Sequence, residues 1–133
     1  MKKDIEKPLM EGVSIAIKLD NSEAENHWTV HLINTNAFEL ENIIVTSKGY
    51  GKKGEKEQET STLRHMFDSI EANSTQQIEV ITKDVFHLFN EYWVSYFVDE
   101  KLFDKKFTFV PESINTEHLT FIESLSSQGI LHA

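Results

Sequence analysis

The chain contains no cysteine. This excludes a thiol nucleophile, a thiolate zinc site and a disulfide framework, and it suits a reducing compartment. Long apolar runs are also missing, since no segment approaches the ~18 apolar residues of a membrane span. The lysines at positions 2 and 3 are not followed by the apolar stretch of a signal peptide. We therefore expect a cytoplasmic protein with no membrane contact.

Arginine is almost absent, because Arg64 is the only one. The 22 acidic residues outnumber the 13 basic ones and give a formal net charge of −9. Such a surface repels phosphates, so wide contact with nucleic acid is not expected. The length of 133 residues fits one ordinary domain. We predict a flexible lead-in over residues 1–9 and a single domain over residues 10–133.

Residues 90–110 hold two aromatic-rich runs separated by a short polar break, and this pattern predicts a β-hairpin. The turn is assigned to residues 99–101. In the first run, apolar side chains alternate on both faces, so this strand is predicted to be central. One face carries Tyr92, Val94, Tyr96 and Val98, and the other carries Trp93 and Phe97. We expect Trp93 and Phe97 to face the interior and the other four to face outward.

Period-two alternation predicts seven strands, near residues 12–19, 27–34, 43–50, 61–68, 76–82, 91–98 and 102–110. Residues 21–26 are read as a turn, 34–42 as a loop whose Phe38 and Leu40 plug one end of the core, and 51–59 as a loop. Residues 60–70 are ambiguous, since an i, i+3, i+4, i+7 stripe also fits a helix. We favour a strand because few turns fit before residues 72–74 break the pattern. A helical turn fits residues 84–89, and the apolar tail after Pro111 should pack on the body.

These elements predict an all-β fold: a two-sheet antiparallel β-sandwich of about seven strands, with the C-terminal tail packed on it. The arrangement resembles immunoglobulin-like and fibronectin type III domains, with Trp28 in a core position. It departs from antibody domains because it lacks the cysteine pair. This resemblance implies architecture only.

Four short strings carry a second resemblance: SKGYG at 47–51, TSTLRH at 60–65, NEYWVS at 90–95 and DKKFTF at 104–109. They are similar to a family of short, stand-alone bacterial proteins of unknown function, some of which carry a phenylalanyl-tRNA synthetase label. The resemblance covers residues 28–131. It implies an enzyme or an RNA-linked accessory protein as one functional class. The strings contain no catalytic signature, so the resemblance implies no site residues.

Gly49, Gly51 and Gly54 form a literal G-x-G-x-x-G at the end of a predicted strand. In dinucleotide-binding proteins this spacing lets the backbone approach a pyrophosphate, but a helix must follow. The polar residues that follow contain no apolar stripe, and no Lys-Ser or Lys-Thr pair suggests a phosphate loop. We interpret the glycines as a flexible hairpin loop.

Basic residues cluster around the same glycines and form a candidate contact for an anion or a protein partner. An exposed tyrosine strengthens this interpretation. The alternative is a set of solvated lysines that the neighbouring Glu55, Glu57 and Glu59 nearly neutralise. The candidate residues are Lys48, Tyr50, Lys52, Lys53, Lys56 and Arg64.

Six histidines raise the question of a metal site. On a strand that rises about 3.3 Å per residue, His27 and His31 lie roughly 13 Å apart and cannot share an ion. The other four fall in different elements. We expect no metal, no cofactor and no catalytic residues.

Two functional classes follow. The favoured one is a non-enzymatic binding module that holds another protein or a second copy of itself, through sheet edges, loops or an aromatic face. The other is the enzyme or RNA-linked protein named above. For the first class, a patch formed by Tyr92, Val94, Tyr96 and Val98 is seldom left bare, so either the apolar tail from Leu119 to Leu131 or a second copy should cover it, and we favour the homodimer. A deep polar pocket would favour the enzyme, and a flat apolar patch the module.

Overall fold

The computed structural model describes residues 11–20 and 27–133, so the predicted lead-in at 1–9 and the predicted turn at 21–26 lie outside the described residues. Within these described residues, ten strands form two antiparallel sheets that pack face to face. The strands are β1 (Val13–Asp20), β2 (His27–Asn34), β3 (Leu40–Lys53), β4 (Lys56–Glu59), β5 (Leu63–Ile70), β6 (Ser74–Ile81), β7 (Phe89–Val98), β8 (Lys101–Phe109), β9 (Thr120–Ile122) and β10 (Ser127–His132). Single 3-10 turns occur at Lys83–Val85, Thr116–His118 and Glu123–Leu125.

Sheet A has the order β6-β2-β1-β10-β9. Ile15 and Ile17 of β1, with Val30 and Leu32 of β2, fill the space between the sheets. β1 and β2 pair antiparallel over their full lengths, from Val13 opposite Asn34 to Asp20 opposite His27. The alternation in the sequence therefore marks the buried face of this sheet.

Sheet B is built on β3, which pairs with β7 along one edge and with both β4 and β5 along the other. β8 pairs with the far side of β7. Strand β7 thus lies between two neighbours, and its predicted central position is confirmed. The all-β sandwich is confirmed with it, whereas the immunoglobulin-like detail stays a prediction.

All seven predicted strands are present, and the largest difference in their ends is at β3, predicted as 43–50 and observed as Leu40–Lys53. The strand interpretation of residues 60–70 is confirmed by β5. The helical stripe there is not a single face, since Met66 is 71% exposed while Ile70 is buried. Leu40 is buried as predicted, but Phe38 is not.

The predicted loop at 51–59 is wrong. β3 continues to Lys53 and pairs with β4, with Tyr50 opposite Glu59 and Lys52 opposite Glu57. This ribbon extends the β3 edge beyond the region that faces sheet A, and most of its side chains are exposed. A strand without a buried face shows no apolar alternation, which is why the sequence pattern misses it.

The predicted orientation of β7 is also wrong. Tyr92, Val94 and Tyr96 are each at most 1% exposed and lie in the core, and Val98 packs against it. Trp93 is the outward residue and is 45% exposed. The four residues predicted as a self-association face are therefore interior. The pairing of β7 with β8 explains this, because Tyr92 lies opposite Phe107 and Tyr96 opposite Phe103, on the face that closes the core.

The tail after Pro111 packs on the body, as predicted. β10 pairs with β1 and extends sheet A, and β9 pairs with β10. Ile122 and Leu125 form a small second cluster with Ala16 and Ile33 on the other side of sheet A. Trp28 is buried in the main core as predicted, with its ring edge-on to Phe86 at 5.4 Å.

Candidate functional site

The candidate basic residues are divided between several places. Lys48, Tyr50 and Lys52 alternate along one face of β3, and the Lys48 Nζ lies 5.7 Å from the centre of the Tyr50 ring. Lys53 and Lys56 face each other across the β3–β4 turn. Arg64 lies on β5 opposite Thr46. The six residues thus form no single concave basic site.

Acidic residues accompany these lysines in the pairing register. Glu57 lies opposite Lys52 on β4, and Glu91 lies opposite Lys48 on β7. Opposite charges facing each other across strands stabilise a sheet modestly. This arrangement suits the solvated ribbon better than an anion site.

The glycine spacing does not continue into a helix. Gly54 has a φ of +68° and lies in the turn between Lys53 and Lys56, and β4 follows directly. The dinucleotide-binding arrangement needs a helix N-terminus at this point. Gly54 therefore serves the turn of the hairpin.

An open groove of about 820 Å³ runs beside this hairpin. The rings of Tyr50 and Phe89 stack there, with centres 5.4 Å apart and planes 9° from parallel. At the same groove, the His87 Nε2 and the Gln58 Oε1 are hydrogen-bonded at 2.8 Å. The stacked pair joins β3 to β7 and leaves an aromatic wall on the surface.

The outward face of sheet B carries a broad apolar surface. We call it the outer face and define it by its exposed apolar residues, Ile44, Met66, Trp93 and Leu102. They come from four adjacent strands, β3, β5, β7 and β8, and the pairing register places Ile44 between Met66 and Ser95. An exposed group of large apolar residues on one sheet face is typical of an interaction surface.

Charged groups border Trp93 on the outer face. The Lys106 Nζ lies 5.1 Å from the centre of the Trp93 ring and 3.9 Å from a carboxylate oxygen of Glu91. Arg64 lies in the same row of the sheet, on the other side of Thr46. Trp93 is thus a large aromatic residue between cationic side chains.

A separate polar cluster connects the two sheets at Glu79 of β6. One carboxylate oxygen, Oε1, accepts a hydrogen bond from the Ser47 Oγ at 2.8 Å and lies 2.8 Å from the His65 Nε2. The other, Oε2, accepts from the Tyr92 hydroxyl at 3.0 Å. The partners belong to β3, β5 and β7, so one side chain of sheet A links three strands of sheet B.

Burial and the neighbouring Glu79 carboxylate raise the pKa of Tyr92 far above its usual value. The hydroxyl therefore keeps its proton and stays a donor to Glu79. Ser47 and His65 both approach the same oxygen of Glu79 rather than each other. The serine–histidine hydrogen bond of a catalytic triad is therefore not formed by Ser47 and His65.

The alternation of apolar residues in the sequence does not reveal the Glu79 cluster. In the pairing of β6 with β2, Val30 lies opposite Glu79 and His31 opposite Gln77, so a β-bulge falls at Ile78. A bulge turns the next side chain toward a different face, and here it places Glu79 beside the core. The one signal in the sequence is a single acidic residue between Ile78 and Val80, and alternation alone does not show that its side chain faces inward.

The histidines lie apart from one another. The pKa of His31 is lowered, mainly by burial and also by Lys18, and its Nε2 lies 2.8 Å from the Thr29 Oγ1. His132 packs edge-on against Phe107 and Phe109. Within residues 11–20 and 27–133, no group of three histidine, aspartate or glutamate side chains is placed to hold a metal ion.

The fold and the site define the chain as an all-β sandwich with an exposed aromatic face and a polar cluster between its sheets. Comparison with known protein families, with curated proteins and with solved structures finds no match in any of the three. In the described part of the chain, no helix has the length and apolarity needed to cross a membrane.

Proposed function

We propose that this protein is a non-enzymatic, cytoplasmic binding module that holds a protein partner against the outer face of sheet B. The observation that carries the proposal is the exposure of Trp93 on that face, with Ile44 and Leu102 on the two strands beside β7 and Met66 on β5, the next strand beyond β3. Tryptophan is among the residues that contribute most to binding energy in protein interfaces.

The sheet edges are less suited to binding. On the edge strand β8, the Lys105 side chain lies on the inward face, with its Nζ 4.9 Å from the centre of the Phe107 ring. An inward charge on an edge strand discourages the addition of another strand. β9, one of the two edge strands of sheet A, has only three residues. These features favour binding through the face of the sheet.

The charges of the outer face are suited to binding a second copy of the chain. Both signs are present there, since Arg64 and Lys106 lie in the Trp93 row and Asp104 lies in the adjacent row beside Ser95. A two-fold axis through the face would allow opposite charges from two copies to meet around a shared apolar centre. The proposed dimer therefore forms through the outer face and not through Tyr92, Val94, Tyr96 and Val98.

Light scattering on the wild type, Trp93→Glu and Phe121→Glu tests this proposal. Phe121 is the matched control, because it is a comparably exposed aromatic residue on β9 of the other sheet. We expect a dimeric wild type, a monomeric Trp93→Glu with an unchanged melting temperature, and a dimeric Phe121→Glu. A monomeric wild type at all concentrations rules out the second copy as the occupant.

Immobilised protein then tests the broader proposal in a native lysate. A binding module of this kind retains a partner on the wild type and on Phe121→Glu but loses it on Trp93→Glu. Equal capture by all three proteins would exclude the outer face as the binding surface, whatever is captured.

The alternative function is an RNA-linked protein, and one observation favours it. Trp93 with Lys106, and Tyr50 with Lys48, are aromatic–cation pairs on a sheet surface. Single-stranded RNA is often bound by bases stacking on such aromatic residues. The net charge of −9 opposes it. A salt-dependent fluorescence titration with a mixed-sequence RNA 12-mer distinguishes the two functions, since the binding module gives no change in tryptophan emission.

A further inference from the structure

Among the described residues, the carboxylate of Glu79 has no lysine or arginine partner. Its side chain is 12% exposed, and its contacts are the hydroxyls of Ser47 and Tyr92 and the ring of His65. Removing a carboxylate from water is costly, and the two neutral hydroxyls offset less of this cost than a full positive charge, while His65 forms an ion pair only when its ring is protonated. Lys48 does not compensate it, because its ammonium group lies over the Tyr50 ring.

An open cleft of about 220 Å³ includes Glu79 in its wall. It lies where β4 ends and β5 has not yet begun, so residues 60–62 leave a gap in the edge of sheet B. The cleft also extends past Gly49, where an added Cβ would approach the Thr60 Cγ2 at 3.0 Å and the Asn90 Oδ1 at 3.4 Å. Its lining is Lys48, Gly49, Thr60, Ser61, Leu63, Glu79, Val80, Ile81, Thr82, Val85, Asn90 and Tyr92.

The walls of this cleft combine acceptors with apolar surface. A carboxylate offers about four lone-pair positions, and three hydrogen bonds to Glu79 occupy only part of them. Thr60 and Ser61 add hydroxyl oxygens, while Val80 and Leu63 supply an apolar rim. The volume equals that of about seven water molecules at ~30 Å³ each.

This chemistry selects an organic cation over a metal ion. A divalent metal in an all-protein site needs several hard oxygen or imidazole ligands, and the described residues contain no group of three that could supply them. A primary ammonium group has three N–H donors and one positive charge. It would pair with the Glu79 carboxylate and donate to the neighbouring oxygens, while its alkyl chain contacts the apolar rim.

We infer that this cleft is a binding site for a primary ammonium group, provided either by a small alkylamine or by a lysine side chain of another protein. The inference is independent of the proposed function, because the cleft lies at the sheet edge and includes none of the residues that define the outer face.

Titration of the full chain with ethylammonium chloride at pH 7, followed by ¹H–¹⁵N NMR, tests the inference. We expect saturable shifts of the Val80 and Asn90 amides, and binding at least tenfold weaker in Glu79→Gln. Glu57→Gln is the matched control, because it removes the same charge from the exposed β4 strand and should bind as the wild type does. Sodium chloride at equal ionic strength must give no such shifts.

A second variant does not depend on the stability of the Glu79 cluster. Ser61 is exposed at the cleft, and Ser61→Lys supplies an ammonium group from the chain itself. It should abolish ethylammonium binding, whereas Ser61→Gln should leave it within about twofold of the wild type, since an amide carries no charge.

A capped Gly-Lys-Gly tripeptide distinguishes the two sources of the ammonium group. Tighter binding of the tripeptide than of ethylammonium assigns the site to a protein lysine, and weaker binding assigns it to a free amine. Absence of saturable binding by both probes, or equal binding by the wild type, Glu79→Gln and Ser61→Lys, would overturn the inference.

Discussion

Replacing Glu79 by alanine tests whether the polar cluster between the sheets stabilises the fold. The substitution leaves the hydroxyls of Ser47 and Tyr92 without their acceptor, and both residues are buried. Each unsatisfied buried donor costs about 1–3 kcal/mol. The partly exposed ring of His65 can turn to water and contributes little.

Two such donors give a loss of about 2–6 kcal/mol, and two effects reduce it. The mutant lacks the free-energy cost of desolvating the Glu79 carboxylate, and water can enter the adjacent cleft. We therefore expect the free energy of unfolding to fall by about 3 kcal/mol. For a domain of this size, the melting temperature should fall by roughly 10–15 °C.

Urea unfolding followed by circular dichroism measures this loss, with Glu57→Ala and Tyr92→Phe as companions. Glu57 is exposed on β4, so its alanine variant should change stability by no more than about 0.5 kcal/mol. Tyr92→Phe removes one donor but keeps the buried ring, and should cost about 1 kcal/mol. A stabilising role of the cluster is excluded if the free energies of unfolding of Glu79→Ala and Glu57→Ala differ by less than about 0.5 kcal/mol, which is about the error of the assay.

Three further predictions concern a close backbone contact, a buried tyrosine and a turn. Gly129→Ala should lower the free energy of unfolding by about 1–3 kcal/mol, because an added Cβ would lie 2.6 Å from the Ile17 backbone oxygen. Thermal melting measures this loss, and an unchanged melting temperature would contradict the close approach. Burial raises the pKa of Tyr96 to about 12, so the folded state holds this proton more tightly than the unfolded state does. The stability that this tighter proton binding contributes is complete below pH ~10 and is lost as the pH rises towards 12. In urea titrations, Tyr96→Phe should reduce the slope of the free energy of unfolding against pH in this range by about 1.4 kcal/mol per pH unit. Asp99 and Glu100 both have positive φ in the β7–β8 turn, so the pair Asp99→Asn and Glu100→Gly should raise stability by about 1 kcal/mol; a loss in differential scanning calorimetry would argue against this turn geometry.

The strands that enclose the core could be predicted from the sequence because a strand with one buried face has apolar residues at every second position. Ile15 and Ile17 in β1, or Val30 and Leu32 in β2, repeat at two-residue spacing where the sheets meet. The β3–β4 ribbon shows no such alternation, since neither of its faces is covered.

The orientation of β7 depended on one residue in the turn. A turn over residues 99–101 does not fix the register, whereas the observed two-residue turn pairs Val98 with Lys101 and hence Tyr96 with Phe103. The phenylalanines of β8 are the apolar face of an otherwise charged strand, so this register carries the tyrosines inward with them. Knowledge of the turn length would have corrected the prediction.

The Glu79 cluster was beyond prediction from pattern alone. Its residues come from four strands in two sheets, and Glu79 faces inward only because of the bulge at Ile78. The outer face is an intermediate case, since Trp93, Met66 and Leu102 stand out as large apolar residues but share no single run of sequence.

The order of sheet A places β1 between β2, its neighbour in the chain, and β10, at the other end of the described residues. Local hairpins form quickly, while pairing of distant strands waits on the closure of a long loop. During folding, β1 therefore has one partner early and an open edge of backbone donors and acceptors until β10 arrives. Lys105 places an inward charge on an edge of the finished sandwich, whereas the inward side chains of this transient edge, such as Ile15 and Ile17, are apolar. Aggregation of this protein should therefore depend on the rate at which β10 docks more than on the stability of the native state.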